Sequence, residues 1–269
     1  MSHLEISRLE LKVIEAEPAQ IRPLNRVLEA SPANPSPPVL LEKVVRTNQR
    51  SSPIVILEEV ELPAALDPRL VVLRDLGSAQ ARSYKLLQHR LIATSDPRVV
   101  AVTSARAGEG KTTCAANLAL TLADETFARV LLVEANTRRP ALGQTFGFRP
   151  ADSFINRLVQ ERDAKPPYFV ARVRGSRLHV AALQVDAAPD MCLDRLLLGL
   201  AIGELRHFYQ YIVIDAGSVF ESADADIAGE CADGVIITAR ARKSRRSELR
   251  RATAQLSPSP VLGVVLLDS

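Results

Sequence analysis

Tryptophan is absent from this sequence of 269 residues, and aromatic side chains of all kinds make up only 4% of it. The core must therefore be assembled from leucine, valine, isoleucine and alanine. Cysteine is scarce too. Cys114, Cys192 and Cys231 are odd in number, far apart, and form neither a CxxC pair nor a Cys/His cluster. That argues against a disulfide framework and a structural zinc site, and is read as reduced, mostly buried thiols of a cytoplasmic protein. The four histidines, His3, His89, His179 and His207, fall in no metal-ligand or triad spacing. No apolar run approaches the roughly 18 residues that a membrane-spanning helix needs. The acidic, proline-containing start does not read as a secretory signal. A dominant charge is missing as well: 34 basic against 31 acidic residues leave a net +3, too little to argue for nucleic acid by itself.

What is present is concentrated between Arg98 and Thr113. The β-branched apolar run Val99-Val100-Ala101-Val102-Thr103 opens into a glycine-containing loop, and Lys111-Thr112-Thr113 leads into Ala- and Leu-rich helical sequence. This is the phosphate-binding pattern [AG]-x4-G-K-[ST], with Ala105 in the first position. Gly108 and Gly110 let the backbone curl so that successive N–H groups face phosphate oxygens, and the N-terminus of the following helix adds partial positive charge. Ala107, Gly108, Glu109, Gly110, Lys111, Thr112 and Thr113 are thus the expected nucleotide contacts. Lys111 reaches the β- and γ-phosphates, and the Thr112 hydroxyl completes the coordination of Mg²⁺. ATP and Mg²⁺ are the expected cofactors.

Residues 1–66 differ in character. Pro18, Pro23, Pro32, Pro35, Pro37, Pro38 and Pro53 interrupt any sustained period, and Ser31–Pro38 reads as linker. A short helix is expected around Ile6–Glu17, within an extension that is either a flexible tail or a docking peptide. Order is expected from about residue 66, giving a single domain over 67–269. There Leu70–Leu73 reads as a strand, and Ser78 caps a helix running to about Ala93 with Tyr84, Leu87 and Leu91 on one face. Val130–Val133, Leu178–Ala182, Tyr211–Ile214, Gly234–Thr238 and Val261–Leu267 are apolar runs suited to strands buried on both faces. Helical stretches lie between them, at Cys192–Tyr209 and Ser244–Leu256 among others. This alternation predicts an α/β fold with a doubly wound, mainly parallel sheet. Lys111, Glu134 and Asp215 then gather at the C-terminal ends of the strands. Glu134 closes Leu-Leu-Val-Glu and Asp215 closes Ile-Val-Ile-Asp, and an apolar strand delivering a carboxylate at its tip is how such folds hold Mg²⁺.

The segment Glu134-Ala135-Asn136-Thr137-Arg138-Arg139-Pro140-Ala141-Leu142, followed by Phe146-Gly147, resembles the D-x-D-x-R-R-P-x-L…F-G segment of the bacterial tyrosine kinases that govern capsule and exopolysaccharide assembly. These are a branch of the P-loop ATPases that includes the partitioning and septum-positioning proteins. The resemblance runs from about Leu66 onward and takes in Asp224-Ala225, Ala232–Val235 and Val261–Val265. It implies a P-loop fold and a tyrosine kinase activity using MgATP, with a membrane-bound polysaccharide co-polymerase or similar activator as partner. It also implies residue roles: Glu134 as the first carboxylate of the segment, activating the acceptor hydroxyl, Asn136 in place of the second, and Asp215 as the metal-orienting carboxylate. Lys111, Glu134 and Asp215 are therefore the candidate catalytic residues, and Thr112 and Asp215 the candidate metal ligands.

The departures predict slowed phosphoryl transfer. Glu for Asp moves the carboxylate outward by a methylene, and a misplacement of about 1 Å can cost on the order of 100-fold in rate. Asn136 removes a negative charge, and Asp215-Ala216-Gly217-Ser218 replaces the family's D-T-P-P with a more flexible loop. The tyrosine-rich tail of the family has no counterpart here, where the tyrosines are Tyr84, Tyr168, Tyr209 and Tyr211. The ring-forming E-x2-R-x2-R pattern falls on Arg82, Lys85 and Gln88, so oligomers made by that contact are not expected. Arg106 is either a finger crossing to a partner's phosphates or a solvated loop residue. Arg240, Arg242, Lys243, Arg245, Arg246, Arg250 and Arg251, opposed only by Glu248, form a solvated basic face or contact an acidic partner or membrane surface; DNA is less favoured. Two alternatives to the kinase reading stay open: a nucleotide-gated binding module with weak catalysis, and a partitioning-type ATPase dimer on DNA or membrane. The location expected is the cytoplasm, peripheral to the membrane.

Overall fold

Alternate residues of each apolar run point to opposite faces of one sheet, and helices cover both faces. The computed structural model describes residues 54–62, 66–150, 168–184, 193–256 and 259–267. Its elements in chain order are β1 (Ile54–Val60), α1 (Val71–Arg74), α2 (Ala79–Thr94), β2 (Val99–Ser104), α3 (Lys111–Glu125), β3 (Val130–Ala135), α4 (Leu142–Phe146), β4 (Tyr168–Val173) and β5 (Leu178–Ala181). They continue with α5 (Arg195–Leu205), β6 (Tyr211–Ser218), α6 (Asp224–Glu230), β7 (Gly234–Arg240), α7 (Arg246–Gln255) and β8 (Val261–Leu267). Among the described residues the sheet has eight strands in the order β1-β4-β5-β3-β6-β2-β7-β8. Neighbours run parallel except β4 and β5, which are antiparallel. The expected α/β architecture with a mainly parallel sheet is thus the observed one.

The period of two sorts the core into halves. Val100, Val102, Leu132 and Val213 pack beneath α1, α2 and α3, whereas Val99, Ala101, Leu131, Ile212 and Ile214 pack against α5, α6 and α7. Each fully buried leucine or isoleucine contributes about 1.5–3 kcal/mol. Small residues let α3 lie close to the sheet: Ala115, Ala116 and Ala119 are fully buried. On α2, Ser78 accepts a hydrogen bond from the Ala81 N–H, and Ala81, Tyr84, Leu87 and Leu91 face inward. Both features match the expected cap and face.

Three expectations need correction. The domain boundary at 66 falls too late, because β1 pairs in parallel with β4 from Ile54 with Tyr168 to Val60 with Val173. Second, Leu70–Leu73 is not a strand: Val71–Arg74 is a short helix. Its Val72 N–H donates to Asn117 Oδ1 on α3 at 3.0 Å, and Asn117 Nδ2 donates to the Arg69 carbonyl at 2.7 Å. A partner from α3 thereby outweighs the strand preference of two adjacent valines. Third, Gly217 and Ser218 form the end of β6 rather than a flexible loop. The Gly217 carbonyl accepts from Thr103 Oγ1 at 2.6 Å, and Ser218 is buried. The helix expected at Ile6–Glu17, the linker at Ser31–Pro38 and Cys192 lie outside the described residues.

Candidate nucleotide site

β2, β6 and β3 lie side by side, and their register sets Asp215 opposite both Val102 and Glu134. The C-terminal ends of these central strands place the phosphate loop, the Asp215 carboxylate and the Arg138-Arg139 turn at one end of the sheet. Gly108 and Gly110 adopt left-handed φ angles of 76° and 84°, as the curl of the loop requires. Gly110 is also the N-cap of α3, and no side chain caps that helix. Its first-turn N–H groups and its dipole are therefore directed at the mouth of the site.

The loop is held by its own glutamate. Glu109 is almost wholly buried: Oε2 accepts the Arg106 N–H at 2.9 Å, and Oε1 accepts from Ser244 Oγ in the turn before α7. Ser104 Oγ donates to the Arg106 carbonyl at 2.6 Å. Glu109 thus braces the loop with its side chain, a role its motif position did not reveal. Arg106 is tied to α7 within the same chain. Its Nε donates to Glu248 Oε1 at 2.9 Å, and its guanidinium lies 5.9 Å from the centre of the Phe220 ring.

Lys111 is 7% exposed and donates from Nζ to Ser218 Oγ at 3.1 Å. Burial pushes its pKa down, against the pull of Asp215, Glu221 and Glu109. Thr112 Oγ1 donates to Asp215 Oδ2 at 2.6 Å. Asp215 is fully buried, and burial pushes its pKa up to about 6 despite the Thr112 hydroxyl and the Lys111 ammonium. Its second oxygen, Oδ1, is buried with no hydrogen-bond partner. A buried carboxylate oxygen left unpaired carries a desolvation cost that a cation would relieve. Asp215 and Thr112 therefore fit a hard, oxygen-seeking divalent ion such as Mg²⁺.

Glu134 is placed otherwise than expected. Its Oε1 accepts the N–H groups of Ala141 and Leu142, the latter at 2.8 Å, and its Oε2 accepts that of Leu183 at 2.9 Å. Both carboxylate oxygens are thus engaged by backbone amides. Burial raises its pKa to about 7, against these hydrogen bonds and with the Asp215 charge adding to the rise. Glu134 ties the segment after the Arg138-Arg139-Pro140 turn to the segment after β5. Asn136 also serves the turn, donating from Nδ2 to the Arg139 carbonyl at 2.9 Å. Asp224 closes it from the other side, its Oδ2 accepting from the Thr137 N–H at 3.1 Å and from Thr137 Oγ1 at 2.8 Å.

The sequence is 30% identical over 174 residues to the tyrosine-protein kinase CpsD of Streptococcus agalactiae serotype III strain NEM316, covering 63% of this chain and 73% of that one. The chain belongs to the bacterial tyrosine-protein kinases. No family model matches it. The kinase domain of VpsO superposes with a TM-score of 0.61 and 28% identity, over 73% of this chain and 97% of that structure. The succinoglycan biosynthesis transport protein ExoP of Rhizobium meliloti strain 1021 is 29% identical over 192 residues, which is 69% of this chain and 24% of that longer protein. Within this kinase family framework, the motif residues Lys111, Thr112 and Asp215 come together. Ser218 joins them through Lys111 and Glu221 through its charge. Of the residues after Asp215, it is Glu221 that the sequence did not single out. The positions of the ring-forming pattern are engaged inside the chain: Lys85 pairs with Glu125 at 2.6 Å, and Arg82 donates to the Gly77 carbonyl.

Proposed function

We propose that this chain binds MgATP and uses it, with slow phosphoryl transfer, to control capsule or exopolysaccharide polymerisation and export beside a membrane-bound partner. The observation that carries the reading is the buried Thr112–Asp215 pair with its unpartnered Oδ1, set beside Lys111. In this reading the backbone amides from Ala107 to Thr113 and the Lys111 ammonium hold the phosphates, and Thr112 and Asp215 hold Mg²⁺. The ion, when bound, neutralises charge on the phosphate oxygens. Ser218 orients Lys111 through its hydroxyl. Glu134 shapes the turn that carries Arg138 and Arg139, two cations available to the transferred phosphate or its acceptor. With Glu134 engaged by backbone amides, no strong base is placed for the acceptor hydroxyl, and the reaction leans on positioning and charge.

A partner in polysaccharide export is in keeping with the name of one relative, a succinoglycan biosynthesis transport protein. Among the described residues no helix is long and apolar enough to cross a membrane. The basic face on α7 is the surface offered here to an acidic partner or a membrane. That face suits an acidic protein or a lipid surface better than DNA, because no aromatic residues interleave with its arginines. A second reading, a nucleotide-gated module that signals without transferring phosphate, is favoured by the engagement of Glu134. Phosphate release from MgATP by purified protein, with Lys111→Ala as the blank, separates the two. Release that disappears in the blank supports catalysis. MgATP binding without release supports the gated module, and no binding overturns both.

A further inference from the structure

The segment after β6 lies directly on the phosphate loop. The Val219 N–H donates to the Ser104 carbonyl at 2.9 Å and the Phe220 N–H to the Ala105 carbonyl at 3.3 Å. The Phe220 ring is flanked by two guanidinium groups, Arg106 at 5.9 Å and Arg251 at 4.8 Å, which fix this crossing. The next residue is Glu221. Its Oε1 accepts the Ala107 N–H at 2.9 Å, its Oε2 lies 4.0 Å from Arg139 Nη2, and its charge acts on Lys111. A loop amide, a lysine and an arginine are the donors a phosphate group recruits. Here a carboxylate of the chain itself takes the amide and sets its charge beside the other two.

We propose that Glu221 is the resident anion of the phosphate loop and sets its nucleotide affinity, because incoming phosphates must take the Ala107 amide from it. This rests on the reading of the loop as a nucleotide site. A carboxylate and a phosphate carry the same sign and compete for the same donors, so the carboxylate weakens nucleotide binding by the interaction it loses. The side chain is one-third exposed and has open solvent to swing into. Its displacement would be passed along the chain. Ser222 Oγ accepts the Asp224 N–H at 3.2 Å, and Asp224 holds Thr137 at the head of the Arg138-Arg139 turn.

The test is calorimetric titration of MgATP into wild-type, Lys111→Ala, Glu221→Ala and Glu221→Gln protein, with circular dichroism as the check on folding. Glu221→Ala is expected to bind about 10-fold more tightly than wild type, the worth of one hydrogen bond to a charged group. Glu221→Gln is expected to bind more tightly by a smaller factor, because its amide oxygen still accepts from Ala107 without the charge. Binding by wild type that is lost in Lys111→Ala, together with unchanged or weaker binding in Glu221→Ala, overturns the role of Glu221 and leaves the nucleotide reading standing. Weaker binding would make Glu221 a ligand rather than a competitor. Absence of binding in every variant overturns the nucleotide reading and this proposal with it. Should Glu221→Ala fail to fold, Glu221→Gln decides alone: tighter binding supports the proposal, and equal or weaker binding overturns it.

Discussion

Lys111 and Asp215 are each taken out of water and each kept within reach of opposite charge, so neither can be changed without cost to the other. Removing the Lys111 ammonium takes a charged donor from the phosphates and leaves Asp215 without its counter-charge. Lys111→Ala is expected to weaken MgATP binding on the order of 100-fold, measured by fluorescence titration with a labelled nucleotide. Glu134 makes a prediction of a different kind. Its pKa, about 7 in the fold, lies above the ordinary carboxylate value of 4.5, so the fold favours the protonated form. The stability conferred by that proton is complete below about pH 4.5 and is lost as pH rises through about 7. Urea unfolding at pH 5 and pH 8 should show wild type losing on the order of 2 kcal/mol more than Glu134→Gln, which has no proton to lose. Equal losses in the two proteins would remove Glu134 as the source. The sequence revealed Lys111, Thr112 and Asp215 because their roles follow from motif spacing. It did not show the amides that engage Glu134, because Ala141, Leu142 and Leu183 are brought to it by the turn and by β5 and not by the strand that carries it.

At the level of elements, Asn117 on α3 ties that helix to α1 and the residues before it. It is fully buried, accepts from Val72, and donates to the carbonyls of Arg69 and Thr113. Asn117→Ala strands the buried Val72 N–H and frees the part-buried Arg69 carbonyl, at a cost of about 1–3 kcal/mol. The expected result is a lower urea midpoint with faster hydrogen exchange at Val72 than at Leu132 in the central sheet. Uniform acceleration at both sites would mean that Asn117 supports the whole domain rather than α1. The same residue explains why α1 was illegible: two valines between leucines favour a strand, and the competing partner lies 45 positions away. β4 went unread for a related reason. Its run Tyr-Phe-Val-Ala is short and is broken by the exposed Arg172 before the buried Val173. β1 carries Glu58 and Glu59 at the sheet edge and has the same weakness. The strands at the centre of the sheet and β8 at one edge could be read from their apolar runs, whereas β1 and β4 at the other side are defined by their pairing with each other.

Across the whole molecule, the four tyrosines show how the fold treats candidate phosphate acceptors. Tyr84, Tyr168 and Tyr209 are 1%, 4% and 3% exposed. The Tyr84 hydroxyl is buried without a partner, Tyr168 donates to Glu204 Oε2 at 3.0 Å, and the Tyr209 hydroxyl is 2.8 Å from His179 Nδ1. Tyr211 is partly exposed, and its hydroxyl donates to Asp96. Folded protein incubated with MgATP is therefore expected to carry no phosphate on Tyr84, Tyr168 or Tyr209 by mass spectrometry. Phosphate on any of the three would require local unfolding of the core, and would show the domain to be far less rigid than its packing implies. A bacterial tyrosine kinase with phenols sealed in this way keeps little written record of its own history. Its state at any moment would be held in what occupies the phosphate loop and erased as soon as the occupant leaves, with Tyr211 the one phenol among the described residues that is open to a lasting mark.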